Sequence, residues 1–419
     1  MFGRKQKRSL ITGIDVGSSA IRIAVGQYTV DHRGGAIQII GAAEAPSAGV
    51  HKGVVNSIEE VISSISHALE QVEHTTGMPV ESSWLGITGT DVIIEQSRGV
   101  VSVAKPDGEI SPDDIERSVQ AARMVAVPLN YDILHVMPVR FTVDGQAGVR
   151  DPAGMTGLRL EVDTQIVYGV SSHLKNVSKA VYRTGIDIDD IVLSVLATGD
   201  AVVTERQKAL GVAVVSIGGS TTSVAVYEGG DVLHAAVLPI GSEHITNDLA
   251  IGLRTAIDVA ERVKLNYGYC VAHEIPKKEK IDLSALGGDG VAAHQFIAQI
   301  VEARVTEILE KVDAELARVG RSGLLPAGVV FTGGGAKISG LIELAKSVLR
   351  LPATLGYPID IPSVTHHTND LSFSGAIGLV KWGSRVHHSP NARWQVPGNT
   401  ETVKKLWKNV QRVGKWLMP

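Results

Sequence analysis

Cysteine is almost missing from this sequence: Cys270 is one thiol in 419 residues. One thiol cannot build an intramolecular disulfide framework, and such usage fits a reducing cytosol. Aromatic residues are scarce at 4%. Neither sign of charge is in large excess. The formal net charge of −4 argues against a general nucleic-acid binder, which would usually be strongly basic. No apolar run approaches the roughly 20 residues that a spanning helix requires. Residues 1–8 are basic but lead into a strand-like stretch without a long apolar region, so no signal peptide is expected. Any membrane contact is expected to be peripheral.

Glycine is plentiful, at 45 residues, and 44% of the chain is apolar. That balance suits Val/Ile/Ala-rich sheets with tight turns. The length calls for two or more packed lobes. Residues 10–15 read as a buried strand, 17–19 as a turn, and 21–28 and 37–43 as strands joined around Gly34-Gly35. Asn56 is expected to cap a helix whose apolar residues Ile58, Val61, Ile62, Ile65, Leu69 and Val72 fall at helical spacing. The same order returns about two hundred residues later. A strand at 211–217 meets a turn at 218–222, then strands 224–227 and 232–239 flank a hairpin turn, and a helix follows from Ser242. Two similar lobes, each with a Gly/Ser/Thr turn, imply a cleft between them.

Residues 84–163 break this rhythm and read as an inserted subdomain. It holds a helix from Ser111, with Pro112 first and Asp113-Asp114 in the opening turn, and a strand at 134–143. The expected layout is then a first lobe at 10–83 and 164–200, and a second at 201–255 and 320–385. A helical subdomain over 256–319 interrupts the second lobe, and a polar linker over 386–400 follows it.

Asp15-Val16-Gly17-Ser18-Ser19 puts a carboxylate at a strand end before a turn of small residues. There, backbone N–H groups can cradle phosphate oxygens. Asp15 can hold Mg²⁺ through its waters, because Mg²⁺ keeps several waters and few carboxylates. Alone, this motif is as readily a plain tight turn. Gly218-Gly219-Ser220-Thr221 is a second turn of the same kind, and the pairing strengthens both. Gly333-Gly334-Gly335 lies between a strand and a helix expected near Ser339, where bare backbone could receive an adenosine. Glu261 and Lys264 share one helix face and could reach one ligand, or be a solvated surface pair.

These turns resemble those of the actin superfamily. Within it the chain resembles the FtsA family of bacterial cell-division proteins, from about residue 10 to 383. The resemblance also rests on Leu134-His135-Val136-Met137-Pro138, on 151–160 and on Leu238-Pro239-Ile240-Gly241. Further matches are 245–250 and Ala260-Glu261-Arg262-Val263-Lys264. It implies a two-lobed actin-like (ribonuclease H-like) α/β fold, with central mixed sheets flanked by helices, a small inserted subdomain and a C-terminal amphipathic helix. It implies ATP and Mg²⁺ in the interlobe cleft, head-to-tail polymerisation with other copies, and binding of the FtsZ C-terminal tail by residues 256–319. It also implies contacts with other division proteins, at the cytoplasmic membrane face of the division site. One departure stands out. The family usually has Asp at the start of the second phosphate turn, where this chain has Ser216. Serine supplies no negative charge, so very slow hydrolysis is expected; tolerated drift, with Asp15 and water sufficing, is the alternative.

In the last segment, 401–418, Val403, Leu406, Trp407, Val410, Val413 and Leu417 share one helical face. Lys404, Lys405, Lys408, Arg412 and Lys415 take most of the other positions. This is the pattern of a helix lying in an anionic lipid interface. A helix packed on the body, or on a partner protein, is the alternative. Two other functions compete with the division reading: a small-molecule kinase of the same superfamily, and a PilM-like pilus-assembly scaffold.

Overall fold

Alternating Val and Ile build the first sheet of the computed structural model, which describes residues 9–31, 34–124 and 127–388. Strands β1 (Ser9–Val16), β2 (Ala20–Asp31) and β3 (Gly34–Pro46) form an antiparallel meander. A short hairpin of β4 (Val50–His51) and β5 (Val54–Val55) follows, then α1 (Ile58–Thr76). Helix α1 buries Val61, Ile65, Leu69 and Val72 as their spacing requires, but Ser57, not Asn56, occupies its N-cap position. Strand β6 (Ser82–Ile87) then runs parallel to β1.

The insertion is a four-stranded sheet with one helix. It comprises β7 (Ile93–Ser102), α2 (Pro112–Arg123), β8 (Tyr131–Val143), β9 (Gln146–Val149) and β10 (Arg159–Val170), in strand order β7-β10-β8-β9. Helix α2 starts as expected: Ser111 and Asp114 form a reciprocal capping box, with Pro112 at the first position. The expected limits of 84–163 shift at both ends. Trp84 lies within β6 and belongs to the first lobe's sheet, while β10 continues to Val170 because its register with β7 and β8 extends that far.

Helix α3 (Ser171–Arg183) and strand β11 (Asp187–Leu193) complete the first lobe, giving sheet order β11-β6-β1-β2-β3. Helices α4 (Ser194–Val202) and α5 (Glu205–Leu210) lead into β12 (Val212–Ile217), β13 (Thr222–Glu228) and β14 (Asp231–Leu238). Helices α6 (Ser242–Leu253) and α7 (Ile257–Tyr267), the small ribbon of β15 (Lys280–Asp282) and β16 (Val291–Ala293), and α8 (His294–Arg318) follow. Strand β17 (Val329–Thr332), helix α9 (Leu341–Leu349) and β18 (Ala353–Leu355) finish the second sheet, of order β14-β13-β12-β17-β18. Both large sheets therefore share one topology: an antiparallel meander followed by two parallel strands. The helix expected near Ser339 starts at Leu341, after Gly340 in a left-handed conformation.

The last described helix, α10 (Ser374–His388), packs on β1, β2 and β6 of the first lobe and on α4. Its chain approaches β1 so closely that a Cβ at Gly13 would lie 2.4 Å from the Ala376 carbonyl oxygen. Because α10 continues to His388, the linker expected over 386–400 cannot begin at 386. Its remainder, and the amphipathic helix expected at 401–418, lie outside the described residues. Among the described residues, no helix is long and apolar enough to cross a membrane.

Candidate functional site

Topological repetition places equivalent residues on opposite walls of one cleft. Asp15 is the penultimate residue of β1 and pairs across the meander with Arg22. Ser216 is the penultimate residue of β12 and pairs with Ser223 in the same way. One lobe thus presents a carboxylate and a guanidinium where the other presents two hydroxyls. Asp15, Arg22, Ser216 and Ser223 all line the cleft, whose volume is about 640 Å³ with its open mouth included. Gly17, Ser18, Ser19, Gly218, Gly219, Thr221, Gly333 and Gly334 line it too.

The two turns meet. A Cβ at Gly219 would stand 3.0 Å from Ser19 Oγ and 2.5 Å from Glu243 Oε1, so only a glycine leaves room there. The second turn is held by the start of α6, where the amides of Ser242 and Glu243 donate to the carbonyls of Gly218 and Gly219 at 2.9 and 2.8 Å. Gly333 has φ +85°, and a Cβ there would lie 3.0 Å from Ser216 Oγ and 2.5 Å from the Ile217 carbonyl. Its backbone can pass β12 because it has no side chain.

Asp15 is fixed by two helix starts. Ser194, the first residue of α4, donates its hydroxyl to Asp15 Oδ1 at 2.8 Å. A Cβ at Gly375, in the first turn of α10, would lie 2.5 Å from Asp15 Oδ2. Positive helix ends stabilise an anion placed there. Burial pushes the Asp15 carboxyl above the usual carboxylate range, opposed by the Ser194 hydrogen bond and the Arg22 charge. A cation beside it would favour the ionised form. Arg22 donates from Nε to Glu44 Oε2 at 2.7 Å and lies 5.9 Å from the centroid of the Phe373 ring. Ser223 Oγ is buried without a hydrogen-bond partner, an orphan group that a ligand in the cleft could satisfy.

Two expected residues and the Glu261–Lys264 pair lie outside the cleft lining. Ser220 is buried and accepts the Lys52 amide at 3.2 Å. Gly335 packs on Ile217, where a Cβ would meet Cγ2 at 2.4 Å. Glu261 and Lys264 form an ion pair of 2.6 Å, and Lys264 Nζ also donates to Thr246 Oγ1 at 2.9 Å. Neither is among the cleft-lining residues; Lys264 reaches only the Ser242 carbonyl, at 3.4 Å, behind the second turn.

Sequence reasoning missed Arg22, Ser194, Thr198, Ser223 and Ser372, which also line the cleft. Ser194, Thr198 and Ser372 come from segments remote from every glycine motif, so no local signal marks them. Arg22 and Ser223 had one: superposing the two repeats puts both at the same offset from Asp15 and Ser216. Among the lining residues Asp15 is the only carboxylate, and no histidine or cysteine is present. The cleft can therefore hold a phosphate ester through amides, hydroxyls and one guanidinium, but it offers no acid–base pair.

Comparisons with known proteins agree with this architecture. The family model described as "Cell division protein FtsA" matches residues 213–378, and that of the SHS2 domain inserted in FtsA matches 89–168. The Pseudomonas aeruginosa cell division protein FtsA is 37% identical over 380 residues, 90% of each chain. That of Bacillus subtilis is 37% identical over 388 residues, 92% of this chain and 85% of its own. Among solved structures, the PilM-PilN type IV pilus biogenesis complex aligns with a TM-score of 0.64 at 17% identity, covering 90% of this chain and 99% of that one. MreB5 of Spiroplasma citri bound to ADP aligns with a TM-score of 0.52 at 11% identity, covering 91% and 99%.

Proposed function

The chain belongs to the FtsA family of cell-division proteins, and on that premise we propose that it binds ATP and Mg²⁺ in the cleft, polymerises head to tail and tethers FtsZ to a membrane. The observation that carries the nucleotide reading is the meeting of two glycine-hydroxyl turns, Gly219 against Ser19, beside one fixed carboxylate. Amides of 17–19 and 218–221 would bind phosphate oxygens, and Gly333 to Gly335 would lie against the adenosine. Glu261 and Lys264 would approach the nucleoside only if their present ion pair opened. Asp15 would orient waters of the metal, which when bound supplies charge neutralisation to the phosphates. Ser216 cannot take a proton as a carboxylate would, so the cleft is suited to holding ATP more than to hydrolysing it.

The helical subdomain at 256–319 is the proposed seat of the FtsZ tail, and the segment 401–418 the proposed membrane anchor. A second division protein could then be recruited to the same surface. A small-molecule kinase needs a carboxylate base for its acceptor hydroxyl, and the single lining carboxylate is already committed to Ser194. The likeness to the PilM complex is one of fold. Binding of an FtsZ-tail peptide would separate the division reading from a pilus scaffold.

The decisive experiment is co-sedimentation with anionic liposomes and ATP, comparing the full chain with a version ending at Thr400. Pelleting of the full chain alone supports the tether. Equal behaviour of the two, soluble or pelleted, removes the anchor from 401–418.

A further inference from the structure

Between the two lobes one short turn touches both phosphate-type loops. The β4–β5 hairpin closes through Lys52 and Gly53, flanked by the paired residues His51 and Val54. The Gly53 amide donates to Ser18 Oγ at 3.1 Å, in the first lobe's turn. The preceding amide, of Lys52, donates to Ser220 Oγ at 3.2 Å, in the second lobe's turn. Two successive N–H groups therefore hold one hydroxyl of each lobe: Ser18, which lines the cleft as Gly53 does, and the buried Ser220.

The backbone that achieves this is unusual. Lys52 has φ +49° and Gly53 φ +76°, so both sit in the left-handed region, where a lysine is not normally found. A Cβ at Gly53 would stand 1.8 Å from the Thr88 carbonyl oxygen, so the turn is wedged against the chain leaving β6. Strained backbone that the surroundings hold in place is a frequent mark of a working site. Gly53 also borders a smaller cavity lined by Val16, Val55 and Ile87, which leaves the turn unpacked on that side.

We infer that the Lys52–Gly53 turn is a positioning device that aims the hydroxyl proton of Ser18 at the phosphates of a bound nucleotide and ties that donor to the second lobe through Ser220. A hydroxyl has one proton and two acceptor lone pairs. The Gly53 N–H occupies an acceptor site of Ser18 Oγ and leaves its proton free for a ligand in the cleft, which Ser18 and Gly53 both line. Ser220 is buried outside that lining and serves as the anchor of the same turn in the second lobe. Because one turn is bonded to both lobes, occupancy at Ser18 and the placement of the second lobe's turn are linked. This inference rests on the nucleotide reading above.

The test is ATP binding with Mg²⁺ by titration calorimetry on the full chain, with amide hydrogen exchange of residues 49–57. Gly53→Ala displaces the turn while leaving both serines in place, and should weaken ATP binding by roughly tenfold or more. Ser18→Ala should cost roughly ten- to a hundredfold, Ser18→Thr, which keeps the hydroxyl, should restore most of the loss, and Ser220→Ala, which removes only the tie to the second lobe, should cost less than Ser18→Ala. In the unaltered chain ATP should slow exchange at 49–57, and in the double alanine variant it should not. The exchange readout remains decisive if Gly53→Ala fails to fold. If the unaltered chain binds ATP but exchange at 49–57 is unmoved, or folded Gly53→Ala binds equally well, the positioning role is wrong. If the unaltered chain binds no ATP, the nucleotide reading falls and takes this inference with it.

Discussion

Asp15 and Ser216 occupy the same place in two equivalent strands, and only one of them carries a charge. Restoring symmetry is therefore a defined chemical change. Ser216→Asp should raise single-turnover ATP hydrolysis, by roughly a hundredfold if water positioning is what is missing. An unchanged rate would show that the serine is not the reason for slow turnover. His135 offers a second residue-scale prediction. It is buried, accepts the Leu193 amide at 3.1 Å, and burial lowers its pKa to about 4. The unfolded chain takes up a proton near pH 6.5 that the folded chain refuses until about pH 4. Stability present above pH 6.5 is thus lost as pH falls through that window, by up to about 3 kcal/mol. Urea midpoints at pH 7 and 4.5 should differ less in His135→Gln than in the unaltered chain. Equal slopes would place the acid sensitivity elsewhere. Asp114 titrates below this window: burial would raise its carboxyl, but donors from Ser111, Arg117 and Ala104 hold it far below the usual range.

At the scale of elements, most signals complete within a few residues were read correctly, although the cap of α1 falls on Ser57 and not on Asn56. Ser111, Pro112 and Asp114 announce α2 because a capping box and an N1 proline are complete within four residues. The two turns were legible as turns because glycine and hydroxyl residues interrupt Val/Ile strands. Failures occurred where partners are distant. Strand β6 follows Gly77 and Pro79, but nothing local tells which sheet it joins: its place is set by parallel pairing with β1 and β11. Glu261 and Lys264 have a spacing equally good for a ligand pair or a solvated surface pair, and their bonds to each other and to Thr246 of α6 could not be read from it. The junction of α4, α5 and α10 was invisible for the same reason. There, Lys208 Nζ meets Asp200 Oδ1 at 2.6 Å, and Arg385 meets Oδ2 at 2.5 Å while lying over Trp382. The side chains of Lys208 and Asp200 are 5% and 8% exposed, so neither charge has water to fall back on. Asp200→Ala should cost about 3 kcal/mol, because it leaves the buried Lys208 ammonium only the exposed Glu205 as a partner. Glu205→Ala, removing the partner that is 80% exposed, should cost no more than about 1 kcal/mol. Comparable urea midpoints for the two variants would contradict this.

At the scale of the whole molecule, one apolar core runs from β1–β3 and α1 through α4 and α10 to one face of the second sheet, at Val212, Val214 and Val330, and a second core lies on that sheet's other face, with β12, β17 and α8. The insertion adds a third, small core of its own around Ile110, Phe141 and Leu160. Helix α10 bridges the lobes: its first residue, Ser374, accepts from Thr332 of β17 at 2.8 Å, while its body packs on β1 and α4. Few polar bonds otherwise span the cleft mouth, and the Lys52 amide to Ser220 is one of them. A ligand held by Ser18 and Ser19 on one side and Gly218 to Thr221 on the other would add cross-lobe bonds where the protein has few. Any ligand confined to the folded state stabilises it by about 2.7 kcal/mol at a hundredfold excess over its dissociation constant. The apolar core that runs through both lobes makes them one unit for such a ligand to stabilise. If ATP binds as proposed, calorimetry should show ATP with Mg²⁺ raising the unfolding midpoint by several degrees. Adding EDTA should reverse much of that shift if Asp15 acts through a metal. A midpoint that ATP leaves unmoved would mean that the cleft holds no nucleotide between its two walls.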